Sequence, residues 1–296
     1  MEALIEYIRM SWWDLVPDPS LRHGAQTVVF FAFYFVVAST LERMSHARTE
    51  ETYRSRGFLH DAAYYFYFKG GFGRLLVPAA IATSLAEPLS FASVRLLDGL
   101  PFWAQVAGWL LISDFTGYWV HRARHQFRFL WAFHTTHHAQ THLNFATYTR
   151  VHPVEDFTGL FVGLFISLLL GVSPITGMLT WLLLDALGEL SHSRIRWRFG
   201  PLRWILVTPH FHSYHHSLDP AHHDRNFGVL FSFWDRAFGT AVDDNAPEPV
   251  RFGLEEVKPV SLWSTLVAPF ELLARYYGPK PSAAAPLADE VGSQVR

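Results

Sequence analysis

The stretch Asp114–His138 reads D-F-T-G-Y-W-V-H-R-A-R-H-Q-F-R-F-L-W-A-F-H-T-T-H-H. It begins inside an apolar run and ends in five histidines within 18 residues, His121 to His138. In a helix, positions i and i+4 lie one turn apart on one face, so His121 and His125 present both imidazoles together. Asp114, seven residues before His121, falls on that face too. The second box, His134, His137 and His138, follows after only eight intervening residues. Its spacing, H-x2-H-H, lets a single turn offer two or three nitrogens.

Further along, the spacing repeats. H-S-Y-H-H supplies His212, His215 and His216 just after Thr208-Pro209, and a single His192 stands in S-H-S-R at the end of another apolar stretch. Two H-x2-H-H boxes and one H-x3-H pair give eight ring donors, and His192 makes nine. One metal ion takes three to six ligands, so this set predicts two ions. Imidazole suits iron, zinc, copper and nickel, and ligand type alone does not choose among them. Isolated His23, His46 and His60 read as ordinary surface or core residues; His142, His210, His222 and His223 flank the boxes without completing one. Asp114, His152, Glu155, Asp224 and Asn226 are the expected partners that orient ligating rings, Asp114 most directly because an ionisable group in an apolar helix needs a polar partner. Asp185 and Glu189 share that expectation.

The 296 residues are half hydrophobic and only 17% charged, which is unusual for a soluble globular chain. Twenty-six Phe, eleven Trp and eleven Tyr suit lipid and the headgroup boundary. A net charge of −2 gives no basic field, so nucleic acid is not an expected partner. With no Cys there are no disulfides, thiolate metal sites or Cys nucleophiles, and a reducing compartment fits. The first 23 residues lack the features of a signal peptide. Apolar segments at Ala25–Leu41, Phe72–Leu89, Phe102–Val120 and Phe157–Leu190, the last divided at Gly171–Pro174, predict five membrane-crossing helices. That parity puts every histidine box on one side, together with Arg43, Arg48, Arg54, Arg122, Arg124, Arg128, Arg150 and Arg194, so the site is expected on the cytoplasmic face. Ser261–Tyr277 reads as an amphipathic helix, and residues 278–296 as a disordered tail.

The text D-F-T-G-Y-W-V-H-R-A-R-H, L-W-A-F-H-T-T-H-H, T-x-x-R-V-H-P-V-E, S-H-S-R-I-R, V-T-P-H-F-H-S-Y-H-H and D-R-N-F-G-V-L-F-S-F-W-D-R-A-F-G-T (Asp224–Thr240) resembles the fatty acid hydroxylase/sterol desaturase superfamily of membrane di-iron oxidases over roughly residues 105–240. The resemblance implies an all-α fold: a polytopic helical membrane domain over 1–277 with a cytosolic histidine-rich cap. It makes His121, His125, His134, His137, His138, His192, His212, His215 and His216 the ligands of two iron ions, with O2 as co-substrate. Some members carry a further His four residues before the one matching His192; here that place is Gly188. The implied activity is hydroxylation of a lipid, with sterols, fatty acyl lipids, ornithine lipids, alkylglycerols and carotenoids open as substrates. No carrier motif is seen, so electrons are expected from a separate ferredoxin or cytochrome b5-like donor docking on the Arg-rich face. A substrate tunnel is expected along Phe161, Phe165, Trp181 and Leu184. Desaturation on the same site, a histidine-rich metal transporter and a zinc hydrolase are the competing readings.

Overall fold

The computed structural model describes residues 21–70, 94–242, 246–255 and 261–278. Its regular elements are all helical: α1 (Leu21–Met44), α2 (Glu50–Arg54), α3 (Arg56–Lys69), α4 (Phe102–Gln126), α5 (Arg128–His138), α6 (Pro153–Leu170), α7 (Pro174–Ser191), α8 (Pro209–His215), α9 (Phe233–Ala237) and α10 (Leu262–Tyr277). Among the described residues β-pairing is limited to two isolated bridges, Leu206 with Phe231 and Ser217 with Phe252. Among the described residues two helices are long and apolar enough to cross a membrane, within Thr27–Met44 and Pro153–Leu170. The apolar stretch Phe72–Leu89 and the tail beyond Gly278 lie outside the described residues.

Local sequence explains the long helices. At the predicted break between α6 and α7, Gly171 takes a left-handed conformation (φ +68°) that ends α6. Ser173 then caps α7, and Pro174 occupies its first turn, where a missing N–H costs nothing. The α1 helix packs its inner face on α3 through Phe31, Phe35, Phe58, Tyr65 and Phe145, with rings 5.0–6.5 Å apart. Its outer face leaves Val29, Phe30, Phe33 and Val36 exposed, and Leu111, Phe115 and Trp119 on α4 and Met178, Leu182 and Leu183 on α7 are exposed likewise. Isolated apolar residues on a surface are ordinary, whereas rows of them on several helices mark a contact with something apolar.

The amphipathic C-terminal helix α10 packs along α5 and buries Thr265, Pro269 and Leu272. Behind α5 lies a buried polar knot that the sequence did not announce. Asp61 of α3 accepts from Arg150 Nη1 (2.9 Å), Asn144 Nδ2 (2.8 Å), Thr147 Oγ1 (2.8 Å) and Gln140 Nε2 (2.5 Å). Arg150 also donates through Nε to the Thr136 carbonyl (2.9 Å), inside the second histidine box. Arg150 is therefore an internal strut and not part of a basic surface. A buried carboxylate with this many donors replaces its lost hydration, and it pins the segment following α5 to α3.

Candidate metal centre

Nine imidazoles converge where the ends of α4, α5, α7 and α8 meet. They fall into two groups: His121, His125, His134, His138 and His215 in one, and His137, His192, His212 and His216 in the other. Within each group one nitrogen from every ring lies within 4.8 Å of the corresponding nitrogen of every other. Each H-x2-H-H box is shared out in the same manner. The first and last residues of a box, one turn apart, enter one group, and the residue between them enters the other. His134 and His138 thus join the group of five while His137 joins the group of four. His212 and His216 join the group of four while His215 crosses to the five. The two boxes interlock.

The second nitrogen of most rings is held by an oxygen. His121 Nδ1 donates to the Phe227 carbonyl (2.9 Å), His134 Nδ1 to Glu155 Oε1 (2.8 Å) and His215 Nδ1 to the Arg225 carbonyl (2.8 Å). His192 Nδ1 donates to the Gly188 carbonyl (2.7 Å), and longer contacts of 3.3 Å join His137 to the Arg150 carbonyl and His125 to Asp224 Oδ1. A ring that donates from Nδ1 keeps a bare lone pair on Nε2. Those lone pairs face one another. Nε2 of His192 sits 3.1 Å from Nε2 of His137 and 3.0 Å from that of His212, and Nε2 of His125 sits 3.1 Å from that of His138. The Nε2 atoms of His121, His134 and His215 are buried without any partner.

Protons do not resolve this crowding. Burial, reinforced by the neighbouring rings, holds His121, His134, His137, His138, His212, His215 and His216 well below the usual histidine range. For His192 burial brings the value down to about 4. Neutral rings with lone pairs turned together suit a cation at their centre. With metal–nitrogen bonds of about 2.1 Å, ligands subtending 90–109° lie about 3.0–3.4 Å apart, which matches the nearest pairs here. Both groups can hold a metal ion.

The predicted supporting residues divide. Glu155 contacts a ring: its Oε1 takes His134 Nδ1 and also Arg124 Nη1 at 3.2 Å. Asp224 contacts His125. Asp224 and Asn226 both have left-handed backbone (φ +55°), which Asp and Asn tolerate better than most residues, and the turn they form presents the intervening Arg225 carbonyl to His215. Asn226 itself touches no ligating ring; it donates to the Phe211 carbonyl (2.8 Å) and accepts from Val242 N (2.8 Å). Asp114 is a correction. Its carboxylate accepts from Leu230 N (2.6 Å), Phe231 N (3.1 Å) and Trp234 Nε1 (2.9 Å), not from a histidine. It shapes the segment that carries the Phe227 carbonyl, together with Asp235, which accepts from Phe227 N (2.8 Å) and Gly228 N (2.7 Å).

His152 also lies apart, because it caps α6 through Val154 N and donates to the Leu266 carbonyl of α10. Asp185 and Glu189 pair with Lys69 of α3, not with a ring. At Gly188 a Cβ would sit 2.4 Å from Tyr148 Cε2, so the Tyr148 ring fills the space that a side chain there would need. The backbone carbonyls of Phe227, Arg225, Gly188 and Arg150 were invisible in the sequence, since every residue has one and only the fold aims it.

A cavity of about 280 Å³ opens onto both groups and is lined near the rings by Arg124, Tyr148 and Glu155. Farther out its walls are Trp109, Gly117, Val162, Gly163 and Ile166. None of Phe161, Phe165, Trp181 or Leu184 lines it. On α6 the facing residues are Glu155, Gly159, Val162, Gly163 and Ile166, and the large aromatics do not line it.

A sequence model of the family described as fatty acid hydroxylase matches residues 106–240. Across 258 residues the chain is 29% identical to the ornithine lipid hydroxylase OlsE of Rhizobium tropici, covering 84% of this chain and 76% of that one. It is 32% identical over 255 residues to the alkylglycerol monooxygenase of Xenopus tropicalis, covering 83% of this chain and 55% of the relative. A very-long-chain aldehyde decarbonylase, GL1-7, of Oryza sativa subsp. japonica is 27% identical over 147 residues, covering 46% of this chain and 22% of that one. No solved structure matches. The chain belongs to the fatty acid hydroxylase superfamily, whose named hydroxylase and monooxygenase members are oxidoreductases.

Proposed function

We propose that the protein is a membrane-bound di-iron oxygenase that hydroxylates a lipid. The observation that carries this reading is the convergence of nine neutral imidazoles in two groups at the inner end of an apolar cavity. Iron bound there supplies the oxidising power for C–H cleavage that no side chain has. The overall balance is one C–H bond, one O2, two electrons and two protons giving one C–OH and one water. The two electrons come from a separate ferredoxin or cytochrome b5-like donor.

The chain's own residues position and shield. Carbonyls and carboxylates hold Nδ1 of six of the nine rings, His121, His125, His134, His137, His192 and His215, so that their Nε2 points inward. Glu155 and Arg124 keep their charges paired beside the cavity, and the apolar walls exclude water from the reacting carbon. Rows of exposed apolar residues on α1, α4 and α7 support a multi-pass membrane placement, with the histidines on the cytoplasmic face according to the arginine distribution. A metal transporter would string its ligands along a path, whereas these gather at one place. The named activities of the relatives favour hydroxylation over desaturation.

The test is iron analysis of purified protein joined to lipid mass spectrometry in cells with and without the chain. Two irons per chain, oxygen-dependent turnover and a lipid gaining one oxygen atom support the reading. A lipid losing two hydrogens instead identifies a desaturase. Metal flux across liposomes without oxygen consumption overturns both.

A further inference from the structure

Two helix faces define the long axis of the cavity. On α4 the lining residues are Trp109, Ser113, Thr116, Gly117, Val120 and His121, which recur at one-turn intervals along a single face. On α6 they are Glu155, Gly159, Val162, Gly163 and Ile166, again one face. At 1.5 Å per residue the walls run about 18 Å from His121 to Trp109 and about 16 Å from Glu155 to Ile166. Only the Ser113 and Thr116 hydroxyls interrupt the apolar character beyond the polar inner end. The space is therefore a slot parallel to two helices.

The slot is tight near its base and open farther out. A Cβ at Gly159 would lie 3.1 Å from Arg124 Nη2, and one at Gly117 would lie 3.3 Å from Val229 Cγ2. At Gly163 a Cβ would meet nothing within 4 Å, and the residue is exposed. Gly163 sits near the middle of Pro153–Leu170, one of the two helices able to cross a membrane. On the membrane placement proposed above, the opening falls at hydrocarbon depth, where what faces it is the chain of a lipid and not water.

We infer that the slot between α4 and α6 is the binding site for one unbranched hydrocarbon chain of a membrane lipid, admitted sideways at Gly163. This rests on the membrane-oxygenase reading and narrows its substrate class from lipids in general to single-chain acyl or alkyl groups. The histidine end receives the carbon to be oxidised. The Trp109 end receives the remainder of the chain, so residue size at Gly163 sets whether a chain enters and residue size at Ile166 sets how far it extends.

The test uses full-length protein in nanodiscs containing a phospholipid with a photoactivatable diazirine on its acyl chain, with labelled peptides mapped by mass spectrometry. Labelling is expected on α4 and α6 peptides carrying Trp109 and Ile166. Gly163→Phe should lose most of it, and Gly163→Ala should keep it. Gly177→Phe, on α7 outside the slot with open space around it, should also keep it. Unchanged bound metal and helical content in Gly163→Phe excludes unfolding as the cause; should that variant not fold, Ile166→Trp, which fills the far end, carries the same test.

Wild-type labelling in a folded Gly163→Phe or Ile166→Trp overturns the site. A photoactivatable sterol labelling these peptides while the acyl probe does not overturns the single-chain assignment. Labelling as expected without any oxidised lipid from iron-loaded protein leaves the slot standing and sinks the oxygenase reading instead.

Discussion

The two histidine groups are built from the same boxes yet are supported differently. In the group of five, Glu155 and Asp224 offer carboxylates to His134 and His125, and the Phe227 and Arg225 carbonyls hold His121 and His215. The group of four relies on two carbonyls, those of Gly188 and Arg150, and leaves Nδ1 of His212 and His216 buried without a partner. It also has no fifth ring, and Tyr148 occupies the space beside Gly188. Ligands already oriented in the free protein lose less entropy on binding, and a carboxylate partner raises the basicity of its imidazole. One group is thus the more preorganised, with carboxylates behind two of its rings, and the other is sparser.

The largest effect that tests this contrast is loss of a ring. His215→Ala removes a donor from the five and His137→Ala one from the four. Each should abolish turnover and lower bound iron from two per chain towards one, as measured by elemental analysis. Full occupancy and activity in both variants would falsify the ligand assignment. Next in size is Arg150→Met, which leaves the buried Asp61 carboxylate without its cation. Breaking such a pair costs about 3–5 kcal/mol, read as a lowered midpoint of denaturant unfolding. Because Arg150 sits behind His137, any folded fraction should show the four-histidine iron perturbed in its Mössbauer spectrum and the other unchanged.

Glu155→Gln keeps the shape but removes the negative charge facing His134. A loss of about 10–100-fold in metal affinity or activity is expected, confined to the group of five. Asp224→Asn should cost less, since Asp224 is exposed and its contact with His125 is 3.3 Å. Equal losses in the two variants would show that burial of the carboxylate does not matter. A slow chelator titration should release iron in two phases, with the four-histidine ion leaving first. A single phase would mean that the two groups bind as one unit.

A separate effect is expected in metal-free protein. Its buried rings stay neutral in the fold, but in the unfolded chain they take up protons below about pH 6.5. The unfolded state then binds more protons, so stability is full above that pH and falls as the pH drops through it. A thermal midpoint that declines from pH 7.5 to 5.5 without metal is the expected outcome. A flat profile would place the rings in water.

The ligand boxes were legible because coordination chemistry demands several imidazoles at turn spacing, and H-x3-H and H-x2-H-H state that spacing in the chain itself. Glu155 and Asp224 were legible as the acidic residues that end T-x-x-R-V-H-P-V-E and begin D-R-N-F-G, two of the stretches that carry the family resemblance. Asp114 misled. A buried acid in an apolar helix does need donors, but backbone amides of residues 230 and 231 serve as well as an imidazole, and nothing local tells them apart. The tunnel aromatics misled because bulk suggested a lipid path, when it is the absence of side chains at Gly159 and Gly163 that leaves one.

What the sequence determined by itself was an all-helical chain, broken between α6 and α7 by Gly171 and Pro174, carrying enough clustered imidazole for two ions. Only the tertiary structure decided which ring joins which group, for a helix end can turn adjacent histidines towards different partners and their allegiance depends on what packs opposite. It also decided which carbonyl aims each ring and where the cavity runs. Those are relations between segments as distant as Asp61 and Arg150, or His121 and Phe227, and long-range packing sets them where local spacing cannot.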